Sequence, residues 1–267
     1  MPLRPVSVPV ASLPAAFVIL SAVLLIAAPL AANSLPVRFG GRLGLGPTWY
    51  GGPDFRDAID DAEGEEFTGE VDGTEATVTI DSIDPRAGFG VGFDLFAEVE
   101  LLEWLSVQPE IGYQRHNARL EVEGSGELDN DVPFDEVDFD ETSILTADLL
   151  ETSLYARPSL EAGPGRVYGL LGPRLSIVIG DLSVTAEDDD DLDETTEPDN
   201  RLLYGAGAGA GYMLYAGDFD LFAEAVFTTT FNSPAESATV PLEDEEIELE
   251  GPALQGVSIG LGAVRAY

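Results

Sequence analysis

Apolar and polar residues alternate with period two through most of the chain beyond residue 36, the pattern of strands whose two faces meet different surroundings. Val37, Phe39, Leu43, Leu45 and Trp49 share one parity, and Arg38, Gly40, Arg42, Gly44, Gly46 and Thr48 share the other. The longest run sets Ala87, Phe89, Val91, Phe93, Leu95, Ala97 and Val99 against Arg86, Gly88, Gly90, Gly92, Asp94, Phe96 and Glu98. Six further segments follow the rule: Leu105 to Leu120, Ser143 to Leu160, Arg166 to Gly180, Leu202 to Tyr215, Phe219 to Phe231 and Leu254 to Tyr267. The sixth strand of the resulting eight places Gly205, Gly207, Gly209 and Gly211 on one face and Ala206, Ala208, Ala210 and Tyr212 on the other. A helix is a poor reading of so much glycine. Several runs exceed the usual globular strand and suit tilted strands that cross a membrane.

The connections fix the architecture. Long ones near 51–85, 121–141, 181–200 and 232–253 alternate with short ones near 100–104, 161–165 and 216–217. In an antiparallel meander alternate connections lie at opposite ends, so the long loops share one end and the termini share the other. The predicted fold is all-β, an eight-stranded antiparallel up-and-down transmembrane β-barrel with long extracellular loops. A strand-like stretch, Ala76 to Ile80, extends the second strand beyond the membrane as part of a hairpin.

Which face points inward separates this fold from a soluble lipocalin-like binding barrel, the alternative. A soluble barrel keeps large apolar side chains inside. Here one face carries Phe, Leu, Val and Ile, while the other mixes Gly and Ser with charged residues and Gln, as a narrow lumen requires. Arg42, Arg86, Asp94, Glu98, Glu110, Glu151, Arg157, Arg174 and Glu224 are accordingly predicted to face the lumen. An eight-stranded barrel has an interior just wide enough for side chains to fill. The expected role of these groups is thus an ion-pair plug; the alternative is a permeation or proton pathway through a narrow channel.

Charge adds an orientation. The chain has 50 Asp and Glu against 12 basic residues, all of them Arg, for a net charge of -38. That balance excludes nonspecific nucleic-acid binding. The four long connections hold 39 of the 50 acids and one basic residue, Arg56. The densest run is Glu187-Asp188-Asp189-Asp190-Asp191-Leu192-Asp193-Glu194. It lacks the spacing of an EF-hand and the Gly-rich repeats of calcium β-rolls, so weak cation binding by the loops is the expectation. At molar salt the Debye length is about 3 Å, so such acidity also fits a halophile's habitat.

Residues 1–34 carry a single charge, Arg4, and an apolar stretch from Ala15 to Ala28, with small residues at Ala31, Ala32 and Ser34. This reads as a cleaved signal peptide, with residues 35–267 as the barrel. Pro14 and Pro29 interrupt the alternative, a membrane-anchoring helix. With no cysteine, disulfides play no part.

The chain's one histidine, His116, falls near the outer end of the third strand, where a rim position is expected and acidic loops would raise its pKa. No motif provides it with a nucleophile. The sequence therefore assigns no catalytic, cofactor-binding or metal-ligating residue, and a non-enzymatic, monomeric protein is expected.

Several motifs carry a family resemblance. Trp104-Leu105-Ser106-Val107-Gln108-Pro109-Glu110-Ile111-Gly112-Tyr113 resembles the short turn and adjoining strand of the PorT-like outer membrane β-barrel domain of Bacteroidetes-type bacteria. Leu150-Glu151-Thr152-Ser153-Leu154 with Pro158 is similar to a later strand, with Thr152 and Ser153 in place of the usual Ile-Pro. Gly165 to Gly172, with Pro173 next, is similar to a third element, and the order fits across residues 36–267. The resemblance implies an outer-membrane barrel, with some relatives linked to protein secretion or gliding. It carries over no catalytic residue. Tyr267 shares parity with Val257, Ile259, Leu261 and Ala263. A terminal aromatic after such a strand resembles the signal read by the barrel-assembly machinery, an expected partner alongside outer-membrane lipid.

Overall fold

The computed structural model describes residues 35–64, 66–71, 74–128, 136–186, 194–235, 237–242, 245–250 and 253–266. Residues 1–34, where a signal peptide is expected, Tyr267 and most of the 187–194 acidic run lie outside them. Eight strands form the ring: β1 (Val37–Gly51), β2 (Thr74–Leu102), β3 (Leu105–Leu128), β4 (Glu136–Ala162), β5 (Gly165–Val178), β6 (Leu202–Tyr215), β7 (Asp220–Thr230) and β8 (Ala253–Ala266). Each pairs antiparallel with its neighbours in sequence, and β1 closes on β8 from Arg38 opposite Ala266 to Gly51 opposite Ala253. No edge is left within the ring, the condition for a sheet to cross a bilayer. Tight turns join β2 to β3 and β4 to β5, where Leu102 pairs with Leu105 and Ala162 with Gly165. Gly163 and Gly217 take positive φ in the second and third short turns, conformations that glycine adopts without strain.

The outer wall is apolar. Leu43, Leu45, Phe93, Leu95, Leu154, Leu171, Leu221, Ile259 and Leu261 are all exposed. Phe39, Trp104, Tyr215 and Phe219 ring the lower edge of this band; Phe89, Tyr113, Tyr204 and Phe231 ring the upper. On β3 the outward series Leu105 to Tyr113 spans nine residues. With the strand tilt of such barrels this is about 20 Å, close to the height of an outer-membrane apolar band.

Above that band the strands reverse their amphipathicity. On β3, Ser106, Gln108, Glu110 and Gln114 point inward below, but Ala118, Leu120 and Val122 point inward above, while Arg115, Arg119 and Glu123 turn outward. The reversal appears on β4, where Leu149 and Ala147 succeed Glu151 on the inner face and Asp148 succeeds Leu150 on the outer. The outer portion is therefore built like a soluble barrel, with its apolar side chains inside.

β2 achieves the switch with bulges between Ile80 and Ser82 and between Ala87 and Val91. A bulge inserts an extra residue, and the side chains beyond it exchange faces. This corrects the expectation for Arg86. It lies opposite Arg119 on the outer surface, its side chain 54% exposed, and pairs with Glu121 at 2.6 Å and Asp84 at 3.3 Å. The same bulges bring Ile80 and Ile83 both to the interior.

The long connections contain ordered structure. β2, β3 and β4 continue together past the membrane level, and Ala76 to Ile80 pairs with β3 as the sequence implied. Glu66–Val71 adds to β2, Leu182–Ala186 adds to β4, and Glu194–Thr196 pairs with the latter. Ser237–Leu242 and Glu245–Glu250 form a separate hairpin. A helix, α1 (Pro53–Ala62), lies in a segment that the sequence pattern assigns to loop. Its Phe55, Ile59 and Ala62 join Tyr50, Ile80, Ile83, Ala118, Leu120, Val122, Ala147, Leu149, Val178, Leu203 and Leu254 in one core that fills the mouth. The two residues after the helix tie it to β2: the Glu63 side-chain Oε1 accepts the Ile83 N–H at 3.2 Å and the Gly64 N–H donates to Ile80 O at 2.8 Å.

Ile59→Asp places an unpaired carboxylate in that core, a loss of several kcal/mol. Limited proteolysis of the protein in vesicles is expected to cut the α1 segment far faster in this variant, while the heat-modifiable gel shift of the membrane-spanning ring persists.

Candidate functional site

The lumen gathers the chemistry that the sequence offers. Of the nine residues predicted to line it, all but Arg86 face inward. They form three connected groups. Nearest the periplasm, Glu98 accepts from Arg157 Nη1 at 2.7 Å, Arg166 Nη2 at 2.7 Å and Ser106 Oγ at 3.0 Å. Arg157 also donates to Gln108 at 3.1 Å and lies 3.7 Å from the centroid of the Tyr168 ring.

The middle group centres on Arg42. Its Nε and Nη2 donate to Asp94 Oδ2 at 2.9 and 2.6 Å, Nη2 also reaches Glu110 at 3.1 Å, and Nη1 bonds Glu224. Tyr168 donates to the second oxygen of Glu224 at 2.7 Å, and Gln108 Nε2 donates to Glu110 at 2.6 Å. In the upper group Arg174 bonds Glu151 and donates to Gln114 at 3.1 Å, and Ser176 donates to Glu151 at 3.2 Å. Four guanidiniums (Arg42, Arg157, Arg166, Arg174) thus meet five carboxylates (Asp94, Glu98, Glu110, Glu151, Glu224), so the interior is near neutrality in a chain of net charge -38.

Glycines shape this network. A Cβ on Gly207 would lie 2.4 Å from Tyr155 Oη, one on Gly211 2.5 Å from Tyr168 Oη, and one on Gly260 2.6 Å from Arg42 Cδ. The glycine face of β6 is therefore the recess that admits the large inner side chains of β4 and β5. Phe96 and Phe222 pack edge to face at 5.5 Å in the same apolar cluster as these tyrosines.

Two small cavities lie among the described residues of the lumen. One cavity of about 20 Å3 lies among Arg42, Asp94, Glu110, Tyr155 and Arg174; another of about 10 Å3 lies among His116, Glu151, Arg174, Ser176 and Thr228. Each is on the scale of a single water. His116 departs from its expected position. It is not on the rim: it is 4% exposed, inside the barrel just above the level of the apolar band. Burial and Arg174 both push its pKa down rather than acidic loops pushing it up. Neither ring nitrogen has a hydrogen-bond partner among the described residues.

Arg166 and Tyr168 are lumen residues that the sequence pattern alone did not single out, though their parity with Arg174 marked them. Removing one partner of a buried pair leaves the other uncompensated, at a cost of about 3–5 kcal/mol. Arg174→Met is expected to lower unfolding stability in urea on that scale, and Glu151→Leu added to it is expected to recover part of the loss.

A family description, "Outer membrane protein beta-barrel domain", matches residues 63–234. Among solved structures, Ail of Yersinia pestis, crystallised with the heparin analogue sucrose octasulfate, is 13% identical, with 86% of this chain and 99% of that one covered and a TM-score of 0.36. Neisserial surface protein A is 11% identical, with 84% and 95% covered and a TM-score of 0.37. The outer membrane protease OmpT of Escherichia coli is 10% identical, with 87% and 96% covered and a TM-score of 0.37. No curated protein matches. The family match spans more than half of the chain and agrees with the closed ring of eight strands and its apolar outer wall, so the chain belongs to the outer membrane protein β-barrel domain family and resides in the outer membrane.

Proposed function

We propose that this barrel is a non-conducting, non-enzymatic anchor that holds an ordered acidic structure at the cell surface. The observation that carries the reading is the filled lumen: three linked groups of ion pairs, capped outside by the apolar core under α1. Passage of an ion through the lumen would require breaking several buried pairs at once, each expensive to separate in a low-dielectric interior. His116 sits in a cavity too small for a substrate, which supports a structural role for it.

The resemblance to PorT-like domains supports a second reading, an accessory role in secretion or gliding. A filled barrel would serve that role through its periplasmic turns or its extracellular sheet.

The acidic connections suit weak cation binding and a high-salt habitat. Repulsion among their carboxylates is strong in dilute buffer and nearly screened at molar salt. The expected result is a melting temperature of the extracellular portion that rises from dilute buffer to molar NaCl, with divalent cations acting at lower concentration. Equal stability throughout would remove the reading. For the anchor itself the measurement is single-channel recording in planar bilayers, where a quiet trace is expected and stable openings would overturn the proposal.

A further inference from the structure

Helix α1 is attached to the barrel as a movable part would be. A glycine stands at each end, Gly52 at φ 132° and Gly64 at φ 85°, backbone conformations that other residues rarely adopt. Between them the helix gives Phe55, Ile59 and Ala62 to the core in the mouth and turns Arg56, Asp57, Asp60 and Asp61 to water. Backbone hydrogen bonds close the ring on every side. The helix is held instead by packing on that core and on the strand Glu245–Glu250, and by the bonds from Glu63 and Gly64 to β2.

His116 lies at the floor of the same core. Leu149 and Leu254 line its cavity and belong to the apolar cluster that α1 completes. The charged groups that face it are Arg174 on β5 and Glu151 on β4, and these are bonded to each other, with Ser176 as a further donor to Glu151. β7 brings Thr228, Thr229 and Thr230, and β8 brings Leu254. β1 and β2 place Tyr50, a neutral phenol, and Ile80 and Ile83 in the core above. The carboxylate within reach is therefore already engaged. A neutral imidazole is tolerated in this seat. An imidazolium would add a second cation beside Arg174, in a space of about 10 Å3 that admits no more than about one water. A buried charge without a free counterion is costly.

We infer that His116 is an acid-sensitive latch on α1: the closed mouth accepts only the neutral imidazole, so protonation of His116 drives the helix to release the core and admit water to the ring. The glycines at both ends let the helix turn outward without disturbing the strands. Burial, and then Arg174, hold the imidazole pKa at about 3 in the closed mouth, against an ordinary 6.5 once the ring is wetted. The contribution of His116 to closure is thus complete above pH 6.5 and is lost as pH falls from 6.5 toward 3. The ion pairs around Arg42 and Glu98 lie below the latch, so acid loosens the cap without opening a path through the lumen.

The test is hydrogen exchange of the full chain in nanodiscs between pH 7 and pH 5, read by mass spectrometry on the α1 peptide. His116→Gln, which keeps a polar side chain but does not titrate, is measured at each pH, so that the intrinsic exchange rate and the titration of the surface acids cancel in the ratio. The ratio of wild type to H116Q is expected to rise roughly twenty-fold from pH 7 to pH 5, with the amides of β1 and β8 unchanged. A ratio that stays constant overturns the latch, and so does an equal rise in β1 and β8, which would be unfolding of the whole barrel. Nitrogen NMR of the wild type gives a second readout that needs no variant, since the chain has one histidine. The imidazole is expected to stay neutral wherever α1 is protected; titration near pH 6.5 with α1 still protected overturns the inference. Channel recordings test the filled lumen separately, and their outcome does not bear on the latch.

Discussion

Closure of β1 on β8 is the constraint on which the rest of the structure depends. A bilayer offers no partner for an open backbone N–H or C=O, so the sheet must end on itself. Eight strands then leave an interior that side chains alone can fill. Because strand faces alternate, giving the outer face to lipid forces every second residue into that narrow space. The interior must absorb whatever polar groups the alternation carries inward. Arg42, Arg157, Arg166 and Arg174 persist there because Asp94, Glu98, Glu110, Glu151 and Glu224 surround them. A guanidinium without them would face the cost of desolvation alone. The glycine rows complete the fit, since Tyr155, Tyr168 and Arg42 occupy the volumes that side chains at Gly207, Gly211 and Gly260 would take.

The same ring meets a second environment where it leaves the membrane, and its pattern answers. Once the outside is water, the apolar residues must move inward, and β3 and β4 do so by exchanging polar and apolar parity without breaking register. β2 instead inserts residues at its bulges. Helix α1 fills the wider mouth, offering Phe55, Ile59 and Ala62 to the reversed wall. The protein is thus a lipid-facing barrel with a polar interior below, continuous with a water-facing barrel with an apolar interior above.

Strand number, order and inward face were legible because the alternation is long and the strand faces chemically distinct. Leu202 to Tyr215 matches β6 from end to end. What escaped depended on particular residues. Arg86 shares parity with Asp94 in the sequence, and a bulge near Gly88 to Gly90 leaves no mark beyond glycine, which that stretch uses throughout. The reversal was visible in Arg115, Ala118, Arg119, Leu120, Val122 and Glu123, but reading the strand as ending at Leu120 hid it. The α1 pattern of Phe55, Ile59 and Ala62 was also present, submerged among acids in a segment read as loop. His116 could not be placed without knowing that the inner face turns apolar directly above it. That its ring nitrogens lack partners among the described residues is a fact of packing that no spacing encodes.

Sealing the ion pairs beneath an apolar core has a physical consequence for a chain this acidic. Salt screens exposed charges over a few ångströms to about 10 Å but acts much less on buried pairs. The outer sheet and the lumen therefore respond to ionic strength independently, the first through repulsion among carboxylates in water, the second hardly at all. Arg42 and Arg174 keep their partners whether the surrounding medium is dilute or saline, because Leu120, Leu149, Leu203 and Leu254 stand between them and that medium. The apolar core under α1 is thus the boundary between a surface that meets the medium and a membrane-spanning interior shielded from it.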